Sequence, residues 1–396
     1  MGSPVLAESG RLFFPTLEAK NRVPSKQMKL PLHDVHRAAG ASFMDFMGWQ
    51  MVQRFSCVEA EYRALQKSAG LIDLSCSGIF ELKGDDRTRF LHGMVTNDIK
   101  ALTPGTGCHA AFLSPQGRMI TDLRIFCSEE SFILATEPAG REKLGPSLQK
   151  YIIGDHPLLL DRSEEMALLS LQGPKAAALL ASVLSPPRAL ERPYDHFETM
   201  LAGARTRICR VNRTCAGGYD FVVERQTLPL VWDLILEVGK KDEVQPVGFE
   251  SFDTHRIEAG IPWFGLDMDE NTLPIEAGLE KGAISFNKGC YIGQESVARI
   301  TYRGHVNRKL GGLLLAGSHP ASKGDKISKD DHEVGWITSS AYSPNLKTAI
   351  ALGYLRREVL ESDTVVLVEH GDERRSGQVT PLPFLELLAP LDATSS

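Results

Sequence analysis

The chain has 396 residues, 42% of them hydrophobic and 24% charged, with 44 Lys+Arg against 50 Asp+Glu for a net charge of −6. This is the composition of a folded globular chain of about two to three domains, not of a disordered or fibrous one. A mildly acidic chain offers nucleic acid only a local basic patch, so no dedicated nucleic-acid binding is expected. No apolar run approaches the roughly 18 residues that span a bilayer, so no membrane role is expected.

In chain order, residues 1–28 are polar, carry Pro4, Pro15 and Pro24, and read as a loose arm. They lack a basic start followed by an apolar stretch, so no signal peptide is expected. Ser56 followed by Glu59 reads as a capping box, opening a helix that stops at Gly70 as a left-handed cap. A strand is expected over 78–83, then a helix capped by Asp85 with Phe90, Leu91 and Met94 on one face. Segments 108–113 and 119–126 flank Ser114-Pro115-Gln116-Gly117, the chemistry of a hairpin turn. A third strand (131–136) and a helix near 140–151 complete a first α+β block.

The pattern then repeats: strand 166–171, helix 175–184, strands 204–211 and 219–224, helix 229–239. Two successive blocks of similar size predict two packed α+β units. Residues 249–259 read as a further helix. Beyond Arg308, short β-rich runs at 310–315, 334–339, 348–354 and 364–368 alternate with Gly, Pro, Asn and Asp clusters, predicting a small antiparallel barrel or sandwich. The expected organisation is an arm (1–28), a first unit (29–160), a second (161–304) and a β domain (305–396).

Seven cysteines, at 57, 76, 108, 127, 209, 215 and 290, are odd in number and include no Cys-x-x-Cys pair. Neither a disulfide framework nor a zinc ribbon is expected; reduced thiols in a cytoplasm are. The most distinctive segment is Lys288-Gly289-Cys290-Tyr291-Ile292-Gly293-Gln294-Glu295. Lys288, Arg299, Arg303, Arg308 and Lys309 concentrate positive charge on either side of Cys290, and nearby cations make a thiol a better nucleophile. The alternative is a small buried hydrophobe between two turns. The same basic run could receive an anion: a phosphate, a nucleic-acid backbone or a carboxylate. Val95-Thr96-Asn97-Asp98 offers one carboxylate, to pair with an N–H-rich heterocycle or accept a proton, against a plain turn bond through Asn97 or Asp98. Arg256 and Glu258 lie two apart and cannot share a helix face; with Glu276 they read more readily as a structural ion-pair network than as catalysts. No Rossmann fingerprint, Walker loop, His-Glu-x-x-His helix or Gly-x-Ser-x-Gly elbow is present, and the 11 histidines lack ligand spacing, so no metal site is expected.

Taken together, the octapeptide, Arg256–Pro262, Ser285–Lys288, Ser296–Arg299 and Arg303-Gly304-His305 resemble the YgfZ family of folate-binding proteins, relatives of the glycine-cleavage T-protein. Phe46–Trp49, Ala69–Asp73 and Val95–Asp98 are similar to T-protein itself. The resemblance implies an α+β fold of two packed units around a central channel, a small C-terminal β domain, and tetrahydrofolate or another reduced folate as the ligand. YgfZ-type proteins imply folate-dependent support of iron–sulfur cluster assembly or repair, with client or assembly proteins as partners. T-proteins imply aminomethyl transfer from a lipoyl carrier to tetrahydrofolate with release of ammonia. A third reading is a binding protein that kept the fold and lost folate. Two departures from T-protein are expected to matter: Tyr219 near the place of a pterin-gripping Glu, and Phe252 in place of an Arg. They favour the YgfZ reading, with aminomethyltransferase as runner-up, and predict no glycine-cleavage activity. The candidate catalytic residues are Cys290 and Asp98. The candidate folate contacts are Asn97, Asp98, Tyr219, Arg256, Glu258, Lys288, Gln294, Glu295 and Arg299. The other six cysteines are expected to be structural.

Overall fold

The computed structural model describes residues 27–153 and 157–384. The expected arm, residues 1–28, lies almost wholly outside them. An antiparallel five-stranded sheet is ordered Gly107–Leu113, Met119–Cys127, Ser131–Thr136, Gly78–Lys83, Leu158–Asp161. The expected hairpin forms through Ser114, whose N–H donates to the Arg118 carbonyl at 2.8 Å. Gly117 has φ +81°, and a Cβ there would meet Ser296 Cβ at 2.5 Å, so the turn and its neighbour both require glycine. Helices Arg87–Met94 and Pro138–Gln149 cover one face, burying Leu91, Leu144 and Leu148 against Phe80, Leu82, Phe112 and Leu134. Asp86, not Asp85, precedes the first of these helices, and its side chain makes no cap bond.

The second sheet has six strands, ordered His196–Leu201, Ala204–Arg210, Gly218–Glu224, Met166–Gln172, Gly70–Asp73, Gln245–Pro246. Helices Ala176–Val183 and Leu228–Gly239 pack Leu179, Leu180, Val231, Trp232 and Ile235 onto Leu169, Leu171, Phe221 and Val223. The two blocks are therefore not sequential. Gly70–Asp73 comes from the first stretch of chain and pairs antiparallel with Met166–Gln172 in the second sheet. This explains Gly70, which is a strand residue rather than a helix cap. A Cβ there would lie 2.5 Å from Val247 Cγ2 and 2.7 Å from Leu65 Cδ2, so glycine permits the close approach of helix Val58–Lys67. The capping box is also displaced. Glu61, not Glu59, accepts the N–H groups of Phe55 (2.6 Å) and Ser56 (2.7 Å), and its other oxygen takes Gly248 N–H at 2.8 Å.

A three-stranded sheet of Met28–Lys29, Trp49–Arg54 and Ser42–Phe46 was not anticipated. The C-terminal domain is a closed barrel ordered Arg308–Leu315, Thr348–Arg356, His332–Ser343, Lys326–Lys329, Val365–His370, Glu373–Thr380, filled by Leu313, Ile327, Ile337, Ala351, Val366 and Val379. Helix Phe249–Glu258 packs both on helix Val58–Lys67 and on barrel strand His332–Ser343, joining the barrel to the rest. No helix among the described residues is long and apolar enough to cross a membrane.

Candidate functional site

Asp98 lies four residues beyond helix Arg87–Met94. Its side chain is 37% exposed, so a ligand can reach it. The turn around it is held from several sides. Asp98 N–H donates to Asn97 Oδ1 at 2.8 Å, and Asp98 Oδ1 accepts Lys100 N–H at 3.0 Å. Asn97 Nδ2 donates to the carbonyls of His109 (2.7 Å) and Gly282 (3.1 Å). His92 Nδ1 stands 3.3 Å from Asp98 Oδ1, outside hydrogen-bond geometry. Burial, then the Lys288 charge, lowers the His92 pKa against the pull of Asp98, so the ring beside Asp98 favours its neutral form.

Lys288 completes this cluster. Its Nζ donates to the carbonyls of His92 (2.5 Å), Val95 (2.6 Å) and Asn97 (2.9 Å), and lies 5.0 Å from the Tyr291 ring centroid. Burial draws its pKa down to about 8, opposed by Asp98.

From this corner a buried polar wall runs between the two sheets. His109 Nε2 pairs with Asp122 Oδ2 at 2.7 Å. Burial pushes the Asp122 carboxyl up, but His109 and Arg124 together hold it below the usual carboxylate range. Arg124 donates to Glu137 Oε1 at 2.6 Å, and Arg213 joins Glu137 (3.0 Å) to Asp220 (2.8 Å). Arg213 also sits 6.0 Å from the Trp263 ring centroid. Asp122 Oδ1, Glu137 Oε2, Thr214 Oγ1 and Trp263 Nε1 are buried with no hydrogen-bond partner among the described residues. Such atoms are costly unless something polar meets them, so they mark this wall as a place for a polar ligand. Farther along the same gap, a cleft of about 1040 Å³ opens, lined by Glu81, Arg162, Glu198, Arg205, Arg207 and Arg225 among others; Asp98 and Lys288 are not in its lining.

Of the residues singled out in the sequence, Asn97, Asp98 and Lys288 come together and the rest do not. Tyr219 is 7% exposed and packed among the leucines on the helix-covered face of its sheet. The neighbouring Asp220 takes the opposite face and reaches Arg213. Arg256 is fully buried and donates to Asp253 (2.7 Å), Asp267 (2.6 Å), Ile261 O (3.0 Å) and Ser339 Oγ (2.8 Å). Glu258 accepts Tyr62 Oη–H (2.7 Å) and Ser343 Oγ–H (2.5 Å). Both tie helix Phe249–Glu258 to the barrel, Arg256 through the ion pairs anticipated and Glu258 through hydroxyls, its Oε2 being buried without a hydrogen-bond partner among the described residues. Gln294 Oε1 accepts Tyr291 N–H at 3.0 Å, closing the turn before helix Gln294–Arg303. Glu295 and Arg299 are exposed on that helix.

Three of the five cations expected around Cys290 have other partners. The thiol is exposed, but the Lys288 ammonium is spent on three carbonyls, Arg308 pairs with Glu276 (3.2 Å), and Lys309 with Glu280 (2.6 Å). Nor are the other six cysteines uniformly enclosed: Cys76, Cys127 and Cys209 are buried, whereas Cys57 and Cys215 are exposed. Cys108 lies beside the Asp98 corner, and burial lifts its pKa to about 12. Sequence reasoning missed His92, Asp122, Glu137, Arg213 and Asp220. Strand alternation was the available signal for Asp220, since Tyr219, Phe221 and Val223 claim the apolar face.

Residues 32–288 match the GCVT N-terminal domain and residues 308–386 the glycine cleavage T-protein C-terminal barrel domain. The chain belongs to the glycine-cleavage T-protein family. It is 32% identical to an aminomethyltransferase of Chlorobium luteolum over 362 residues, covering 90% of this chain and 98% of that protein. An aminomethyltransferase of Geobacillus sp. is likewise 32% identical, over 359 residues. Among solved structures, the glycine cleavage system aminomethyltransferase T of Bartonella henselae superposes with a TM-score of 0.83 at 26% identity, covering 91% of this chain and 98% of that one.

Tetrahydrofolate is the one-carbon acceptor in this family. The preference for a YgfZ-type iron–sulfur assembly protein is overturned: the proteins that this chain matches along nine-tenths of its length are aminomethyltransferases. The two departures that had favoured it also lose their force. Tyr219 is packed into one core, and Phe252, fully buried beside Trp263 at 5.7 Å, into another.

Proposed function

We propose that this protein is an aminomethyltransferase that uses tetrahydrofolate as acceptor. The observation that carries the reading is the half-exposed Asp98 carboxylate, fixed at one end of a buried polar wall, in a chain matched over both T-protein domains. In the reaction, a lipoyl thioether bearing an aminomethyl group gives its methylene to two folate nitrogens. The C–S and C–N bonds break, two C–N bonds form, and of the two folate nitrogen protons one goes to the lipoyl thiol and the other to the departing amine, which leaves as ammonia. Asp98 is suited to accept or steer a proton at the reacting nitrogens. The free oxygens of Asp122 and Glu137 are acceptors of the kind a pterin amine and N–H edge requires.

The test is ammonia release from an aminomethyl-lipoyl carrier with tetrahydrofolate, beside calorimetric folate titration. Wild-type protein should release ammonia and form methylene-tetrahydrofolate. Asp98→Asn should slow release by about 10²–10⁴-fold, the usual contribution of a positioned proton acceptor, with folding intact. A wild-type protein that neither binds tetrahydrofolate nor releases ammonia would sink the reading.

A further inference from the structure

We propose that Lys288 is a positioning residue, whose ammonium gathers the carbonyls between His92 and Asn97 into one clamp and so fixes where the Asp98 carboxylate stands. The clamp itself rests on geometry alone; its bearing on turnover rests on the aminomethyltransferase reading.

Helix Arg87–Met94 ends with carbonyls that have no partner within the helix. Lys288 Nζ has three donors and meets three carbonyls, at residues 92, 95 and 97, all within 2.9 Å. The first belongs to the last turn of the helix, where a cation also suits the macrodipole. The third belongs to the residue immediately before Asp98. One side chain thus spans the path from helix to carboxylate. The segment that carries Lys288 is itself fastened to the same stretch: Thr96 Oγ1 donates to Ala283 O at 2.5 Å, and Ser285 N–H donates to Thr96 O at 3.0 Å. Asn97 then orients Asp98 through its own side chain.

The charged and titratable groups facing the ammonium are His92 on the helix, Asp98 and Lys100 on the turn, Cys108 on the adjoining strand and Tyr291 on the motif loop. Asp98 is the one carboxylate among these, yet every hydrogen bond recorded for Lys288 goes to backbone. The lysine therefore acts on Asp98 by holding its backbone and not by neutralising it.

The test uses the full chain and the variants Lys288→Met, Asp98→Asn and the double variant. Amide exchange over residues 95–100 should quicken in Lys288→Met, led by Lys100 N–H, while barrel strand Thr348–Arg356 keeps its protection. In turnover, kcat should fall by about 10–100-fold, the scale of a misplaced catalytic group, with the folate KM little changed. Adding Lys288→Met to Asp98→Asn should cost nothing further, because the lysine works through that carboxylate. Unchanged exchange over 95–100, or equal losses in both backgrounds, overturns the clamp. A wild-type protein without ammonia release removes the functional reading instead, and the exchange arm still decides the clamp.

Discussion

Replacing Arg256 by Met separates a strut from a ligand contact. The Met stem keeps much of the packing of the Arg stem but removes four donors' worth of bonding. Asp267 is then left with Thr338 Oγ1 (2.6 Å), Ser339 Oγ (2.7 Å) and Trp263 N–H (3.0 Å), at zero exposure and without its cation. Asp253 loses its partner as well; burial already raises its pKa against the opposing pull of Arg256. Breaking a buried ion pair by removing one member costs about 3–5 kcal/mol, because the remaining charge stays buried. With a urea dependence of about 3 kcal/mol per molar, the unfolding midpoint should drop by about 1–2 M. The barrel signal should move first, since Arg256 ties helix Phe249–Glu258 to strand His332–Ser343 through Asp267 and Ser339. Adding Asp267→Asn should recover part of the loss by removing the stranded charge. Calorimetric folate affinity, measured below the transition, should stay near wild type. A variant that unfolds near the wild-type midpoint but loses folate binding would refute the strut and restore Arg256 to the ligand site.

Two further outcomes are expected. Burial holds His196 and His255 near pKa 4, and in His196 the Arg207 guanidinium adds to it. These folded values lie below the ordinary value of about 6.5, so the stability they contribute is complete above pH 6.5 and is lost as pH falls through 4. Urea midpoints taken between pH 7 and 4 should therefore decline. His196→Gln should flatten that decline, and an unaltered slope would acquit His196. Tyr219→Phe should leave both folate affinity and stability near wild type, whereas Tyr219→Ala should cost about 3–5 kcal/mol as a core truncation; a large drop in folate affinity for Tyr219→Phe would place its hydroxyl in the site.

Most strands and helices were legible because their periodicity is local. Gly78–Lys83 and Ser131–Thr136 fall where alternation and turn residues put them. The barrel was legible from its turn spacing, but two of its strands were not. Lys326–Lys329 is short, and Glu373–Thr380 opens on Glu373, Arg374 and Arg375 and holds one large apolar residue, Val379, so it shows no apolar alternation. Gly70–Asp73 was hidden for another reason. It completes a sheet whose other strands lie between Met166 and Pro246, and its glycine serves a close approach that no local rule encodes.

The site was legible where one residue's chemistry was enough and illegible where it depended on pairing. Asp98 could be picked out as a lone carboxylate in a turn. Lys288 was picked out too, but for the wrong partner: sequence proximity joined it to Cys290, whereas the fold turns its ammonium toward carbonyls almost two hundred residues earlier. Arg308 and Lys309 were misread the same way, each having a carboxylate about thirty residues upstream. A run of cations in sequence predicts a cationic surface only if no acid elsewhere claims them, and here Glu276 and Glu280 do. Strand parity could have corrected the other error. Once Phe221 and Val223 are assigned to the core, Tyr219 must follow them and Asp220 must point between the sheets. A buried carboxylate there demands a cation, and Arg213, just beyond strand Ala204–Arg210, is placed to supply it. The polar wall between the sheets thus follows from alternation along one strand and the cost of burying an unpaired charge.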